Sequence, residues 1–538
     1  MAACGPRLKS SVGGLRRGCC PCCEIARPLF GKHVSPGASA IGRSNSNADI
    51  ARSGCLTHYG ATAEAARLIG LVEASLIAPD LLTRSLAEAR SLLIDLYDAA
   101  VAGAAPGPVT TAALQGFPAR DGQRIWLYAM GKAAHPMATA AVATLQRAML
   151  TIAGGMIISP ELEASPHAAL RSMQGNHPLP GRLSFTAADR IGETAVGMRS
   201  DDIAIVLLSG GVSSLIAAPL RGMAEADIGQ LFELLLGAGL DIHEMNGVRK
   251  RFTRWGAGRL ALALAPARTY ALAISDVIGD DPASIGSGPC TPDVMTVKQV
   301  VDLLQRTALL SRLSPAMREY LTAVARGSIP ETPKSTHPAF AHVTMRVIGS
   351  NRLALDAAAA HASSLALETE VIHRPLQGDA ALCGTALAEV LLQRAQEGRR
   401  GCVVWGGETT VELNSGAVPF PTRTTGGAAA LAKADLPPSG GRCQELALAA
   451  ARRLAQAGEM AQHVTLLAAG TDGRDGTVDA AGAFADGNIW ASIRESGRDP
   501  DAALRRHESH AVLASAGALL PRRYTGTNVM DVVIGLVS

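Results

Sequence analysis

The sequence predicts an α/β protein with a mostly parallel sheet, and three observations carry that expectation. Short apolar runs of β type recur, each ending in a loop rich in Gly, Ser or Asp: the run before Ser209-Gly210-Gly211, Thr269–Asp281, Gly401–Val411 and Val464–Gly476. Continuous apolar runs of this length mark strands buried on both faces. Helical stretches alternate with them, which is the rhythm of βαβ units. The composition agrees: 48% hydrophobic but only 3% aromatic, an aliphatic, Ala-rich core that lets helices lie close on a sheet.

The elements follow in order. Residues 1–58 form a basic leader, with eight Lys and Arg against Glu24 and Asp49, and six of the ten cysteines lie by position 55. Such a basic, Ser-rich and acid-poor stretch fits a transit segment, placing the protein in mitochondria; a misassigned start, with a cytoplasmic protein, fits equally. The Cys19-Cys20-Pro21-Cys22-Cys23 run lacks the paired CxxC modules of a zinc site. Asp80–Val101 puts Leu82, Leu86, Leu92, Leu93, Leu96 and Ala100 on one broad helical face. Arg124–Met130 reads as a strand leading through Gly131-Lys132 into a helix over 133–150. The Pro-rich stretch Glu331–Phe340 is a linker between a first domain, 80–330, and a second, 343–538, which carries an insertion at 414–438 without clear periodicity.

At 538 residues the chain calls for two large domains. A net charge of +3 gives no electrostatic case for nucleic acid, and no apolar stretch reaches the length of a membrane span. The remaining partners are small molecules, with the chain acting as a monomer or homodimer.

Seven segments offer chemistry. Lys132 follows a strand and a glycine and opens a helix, where free backbone N–H groups and an ammonium suit a polyphosphate, although the full P-loop pattern is absent. Ser209, Gly210, Gly211, Ser213 and Ser214 form a small-residue turn between strand and helix, which serves as an anion cradle or as an ordinary tight turn. Asn246 and Arg249 head a cationic stretch suited to phosphate or carboxylate, or to a solvated helix face. Asp276 and Asp280 crowd a strand end and, with Asp472 after a later strand, suit Mg²⁺ or general-base work. Glu408 ends another strand, and Arg442 opens a helix after Gly440-Gly441. His177, between Asn176 and Pro178, reads as structural rather than catalytic.

Taken in order, the strings MGKAA, NHPLPG, LLSGGVSSLIAAP, EMNGVRKRFTRWGAGRLA, SDVIGDDPASIGSGPCTPD, GGETTV, GGRCQELALA, GTDGRDGTVDAAGAF and TGTNVMD resemble the class II glycerate kinases, whose C-terminal half is the MOFRL domain. The resemblance spans about Leu81 to Leu536. It implies a Rossmann-like N-terminal domain, a MOFRL α/β domain, and an active site in the cleft between them. It also implies ATP and Mg²⁺ as cofactors and D-glycerate as acceptor, generally at the 2-hydroxyl. The family's essential lysine falls on Lys132 and its essential arginine on Arg442. Gly210, Gly211 and Ser213 are then expected to cradle phosphate, Arg249 to meet the substrate carboxylate, and one of Asp276, Asp280 and Asp472 to act as base while the others hold Mg²⁺. The chain departs from the family pattern at Val212, where Gly is usual and a side chain would obstruct backbone approach, and at Cys290, Cys443 and Arg523-Tyr524. Three rivals stand beside the kinase: an NAD(P)H-dependent hydroxypyruvate reductase, an inactive phosphosugar- or nucleotide-binding homologue, and a kinase of a different hydroxy acid.

Overall fold

The computed structural model describes residues 85–120, 122–412 and 439–538; the expected leader 1–58 and insertion 414–438 lie outside the described residues. The apolar runs form two six-stranded sheets. The first holds β1 (Ile125–Met130), β2 (Ile152–Ser159), β3 (Leu170–Gln174), β4 (Ile203–Leu208), β5 (Arg268–Ile274) and β6 (Val343–Gly349), in the order β3-β2-β1-β4-β5-β6. Every pairing in it is parallel. Strand order therefore reverses between β1 and β4, and ligands in open α/β sheets bind in the crevice beyond the carboxyl ends at such a point. Met130 pairs with Leu208, so the loops opening with Gly131 and Ser209 emerge side by side. Tyr128, Met130, Met156 and Ile158 meet Phe185, Ile191, Phe232 and Leu260 in the core of this half.

The second sheet holds β7 (Thr369–Leu376), β8 (Gly401–Gly407), β9 (Val464–Gly470), β10 (Ala480–Asp486), β11 (Leu519–Pro521) and β12 (Asp531–Val537), in the order β11-β10-β9-β12-β8-β7. Here the parallel expectation fails: only β7 and β8 run parallel, and β12 lies antiparallel between β8 and β9. The 471–479 connection is too short for a crossover helix, so β10 must return antiparallel to β9. Asp531 pairs with Gly407 on one side and Gly470 on the other, which brings the last strand's first residue between two loops.

The division at 80–330 and 343–538 differs from the packing at both ends. The helix Leu86–Gly103, opened by a reciprocal capping box between Ser85 and Glu88, buries Leu92, Leu93, Leu96, Tyr97 and Ala100. It packs on the helix Asn351–Ser364 and on β9 and β12, so it stands on the second sheet. A Cβ on Gly103 would lie 2.2 Å from Cβ of Ala357, so this close crossing requires glycine. Conversely, Val343–Gly349 forms the edge of the first sheet beside β5. An amphipathic stripe states that a helix packs on something; it does not say on which sheet. None of the described helices is long and apolar enough to cross a membrane.

Candidate active site

The loops after β1, β4 and β5, the loops after β8 and β9, and the start of β12 all line one cavity of about 650 Å³. On the first sheet the walls are built largely from backbone. Gly131, at φ +124°, lies so close to Ser209 that a Cβ would sit 2.2 Å from its Oγ. The Lys132 N–H donates to the Gly210 carbonyl at 2.9 Å, and the Ala133 N–H to Ser209 Oγ at 3.0 Å, locking the two loops together. Gly210 abuts Asp276, whose Oδ2 would be 2.2 Å from an added Cβ. Gly211 is left-handed (φ +91°) under His177. Ser214 donates to the Gly211 carbonyl, and Ser213 shares a 2.7 Å hydrogen bond with Ser287.

The helix Ile242–Phe252 contributes Asn246 and Arg249. Arg249 is 8% exposed, its Nε lacks a hydrogen-bond partner, and no carboxylate pairs with it among the described residues. Its guanidinium lies 4.6 Å from the Phe232 ring centroid, and burial pushes its pKa down to about 10. A cation held this way is costly unless an anion arrives.

The second sheet supplies charge already paired. Arg442 opens the helix Arg442–Ala455 and meets Asp531 through two bonds, Nε–Oδ2 at 2.8 Å and Nη2–Oδ1 at 3.0 Å, while its Nη1 reaches Glu408 at 2.7 Å. Burial alone would disfavour its charge, yet Asp531 and then Glu408 hold it firmly protonated. Asp475 accepts from the N–H groups of Cys443 and Gln444 and from the Gln444 amide, so it caps that helix. Its carboxyl is pushed up to about 6, first by burial and then by Asp531. Burial also raises Asp276, Glu408 and Asp472, against the pull of Lys132 on all three. Loss of solvent and then the Lys132 ammonium push His177 down to about 4, so its imidazole is neutral at pH 7.

The large cavity thus gathers Lys132, Gly211, Ser213, Ser214, Asn246, Arg249, Asp276, Glu408, Arg442 and Asp472. Ser209 and Gly210 line an adjoining cavity of about 520 Å³ that shares Lys132, His177 and Asp472 with it. Asp280 is not brought together with Asp472: it sits in a left-handed turn after Gly279 and lines neither cavity. Asp475 and Asp531 stand inside the strings GTDGRDGTVDAAGAF and TGTNVMD, but nothing in those strings assigns them to Arg442 or its helix.

Comparison with known proteins bears on this arrangement. Residues 92–322 match the model of a domain of unknown function, DUF4147, and residues 401–531 match the MOFRL family. The D-glycerate 2-kinase of Thermotoga maritima is 32% identical over 419 residues, covering 77% of this chain and 91% of that protein. The chain belongs to the glycerate kinase family. The crystal structure of a Thermotoga maritima glycerate kinase superposes with a TM-score of 0.70 at 30% identity, covering 83% of this chain and 99% of that one. An Agrobacterium vitis protein provisionally named hydroxypyruvate reductase is 33% identical over 449 residues, covering 82% of this chain and 93% of its own.

Against the glycerate kinase pattern, the departures now have places. Val212 does not obstruct the cradle: it is fully buried and packs on Gly286, facing the core and not the cavity. Cys443 is buried, and its backbone N–H is held by Asp475. Cys290 is buried too, and burial pushes its thiol up to about 12. Arg523 places its guanidinium 4.7 Å from the Tyr97 ring centroid and pairs with Asp98, while Tyr524 is 86% exposed.

Proposed function

We propose that this glycerate kinase transfers the γ-phosphoryl group of ATP to the 2-hydroxyl of D-glycerate in the large cavity. The observation that carries this is Arg249, a buried guanidinium that has no carboxylate partner among the described residues and lines the same cavity as Lys132 and Arg442. A small hydroxy acid supplies the missing anion, and a bidentate pair would fix its orientation.

In this scheme the glycerate 2-hydroxyl oxygen bonds to the γ-phosphorus, the bond to the β-phosphate oxygen breaks, and ADP leaves. Asp276, raised by burial and seated against Gly210, takes the hydroxyl proton and later gives it to water. The Gly210–Gly211 backbone and Ser213 lie along the phosphate oxygens. Lys132 and Arg442 flank the moving group, where positioning and charge neutralisation provide most of the rate. The donor set also suits Mg²⁺. Asp472 presents hard oxygen to the cavity with its charge disfavoured by burial, and no dedicated cage of three ligating side chains exists among the described residues. Mg²⁺ characteristically takes one or two carboxylates and draws its other ligands from phosphates and water. Asp472 would hold it, and it would supply charge neutralisation on the phosphate oxygens.

The test is a reaction of purified protein with D-glycerate, ATP and Mg²⁺, the product identified by ³¹P NMR, beside a reaction with hydroxypyruvate and NAD(P)H. Formation of 2-phosphoglycerate is expected. Formation of 3-phosphoglycerate overturns the regiochemistry, and consumption of NAD(P)H without a phosphorylated product overturns the kinase assignment.

A further inference from the structure

The adjoining cavity of about 520 Å³ differs in character from the large one. Both hold charged groups and share Lys132, Asp472 and Arg474, but only the adjoining one is lined by Pro160, the Tyr524 ring and the acids Glu161 and Glu163. Three features converge on one kind of occupant.

The first is position. Glu161 lies two residues beyond the end of β2, and β2 neighbours β1 on the side away from β4. In a sheet of this order the phosphates of a nucleotide lie at the β1 end, and an acidic residue beyond β2 meets the ribose hydroxyls. Ser159 holds the turn that presents Glu161 by donating to its carbonyl at 2.6 Å.

The second is Tyr524. A large aromatic ring left 86% exposed at the wall of a cavity is an unfilled flat surface. The third is that this ring sits on fixed backbone. Arg523 donates its N–H to the Gly473 carbonyl at 3.1 Å and is clamped to Tyr97 and Asp98. On the other flank, Thr525 Oγ1 donates to the Thr471 carbonyl at 2.7 Å. Thr471 and Gly473 bracket Asp472, so the same tether orders an acid of the large cavity. With the backbone already fixed, only the ring's own torsions remain to be ordered on stacking.

We propose that the adjoining cavity is the nucleoside subsite, with Tyr524 stacking on the base and Glu161 accepting from the ribose hydroxyls. The triphosphate then passes over Lys132 and Gly210 into the large cavity. This rests on the kinase assignment above, and Tyr524 belongs to one of the chain's departures from its family's pattern, so the base contact is particular to this chain.

Calorimetric titration of the full chain with ADP and, separately, with inorganic tripolyphosphate tests it. Tyr524→Ala should weaken ADP about tenfold, the scale of losing one base–aromatic stack, and leave tripolyphosphate binding unchanged; Tyr524→Phe should match wild type for both. Glu161→Gln should weaken ADP and spare 2′,3′-dideoxy-ADP. Unchanged ADP affinity in Tyr524→Ala overturns the subsite, as does a loss that tripolyphosphate shares. The wild-type product assay separates the two levels. A chain that makes no phosphoglycerate defeats the kinase assignment, whereas an active chain indifferent to Tyr524→Ala defeats only the stacking.

Discussion

The two halves of the cavity are made differently. The first sheet contributes glycines, hydroxyls already hydrogen-bonded, and the cations Lys132 and Arg249, which make no ion pair among the described residues. The second contributes Arg442, neutralised in advance by Asp531 and Glu408. Unpaired cations wait for anions from solution, while the paired one is part of the fold. One half should therefore answer to substitution in binding and rate, and the other in stability as well.

The largest expected effect separates Lys132 from Arg442. Lys132→Ala should lower kcat by about 10³-fold or more, the cost of removing a charge that acts on the transition state, with a smaller fall in Tm than Arg442→Ala, because Lys132 offsets Asp276, Glu408 and Asp472 without a direct ion pair among the described residues. Arg442→Ala should lower kcat comparably and also destabilise the protein by roughly 1–2 kcal/mol, because it strands two carboxylates in a partly exposed site. Equal Tm values for the two variants would erase the distinction. Next in size, Arg249→Met should raise KM for glycerate by roughly 100-fold, as expected when a charge-assisted bidentate contact is lost, while leaving KM for ATP alone. The free protein should gain about 1 kcal/mol in denaturant unfolding, because an unpaired buried charge has gone; a loss of stability would show that Arg249 has a structural partner.

The smallest effect concerns pH. Asp475 titrates near 6 in the folded chain against an ordinary 3.8. Folding thus favours its protonated form, and its contribution to stability is fully present below pH 3.8 and lost as pH rises through about 6. Asp475→Asn should flatten the stability–pH curve over that interval by roughly 1–3 kcal/mol, as measured by urea titrations at successive pH values. A slope that survives the substitution assigns the dependence to another group.

Legibility in the sequence divides along the same line. Strand ends and glycine-bearing loops are local patterns, so Lys132, Ser213, Asp276 and Glu408 were found in short strings, and the first sheet's parallel order followed from βαβ rhythm. Pairings across distance were not. Asp531 lies 89 residues beyond Arg442, and nothing in either string names the other. Side-chain direction within a turn is equally silent: Val212 reads as an obstruction and in fact faces the core. Asp280 looks like a cavity residue by proximity to Asp276, but the left-handed turn after Gly279 carries it elsewhere.

The helix Leu86–Gly103 on the second sheet and β6 on the first mean that, among the described residues, the polypeptide passes between the sheets twice, near Ala104 and again at Ser350. Two such pivots define a line, the axis about which any rotation that narrows the cavity would have to turn, like a door on a pair of hinges. Asn351 donates to the carbonyls of Val529 and Asp531, so the second pivot is bolted to the strand that carries Arg442's partner. Cutting the gene at the Pro-rich stretch 331–340 would not yield two proteins, because each product would lack a piece of its own scaffold.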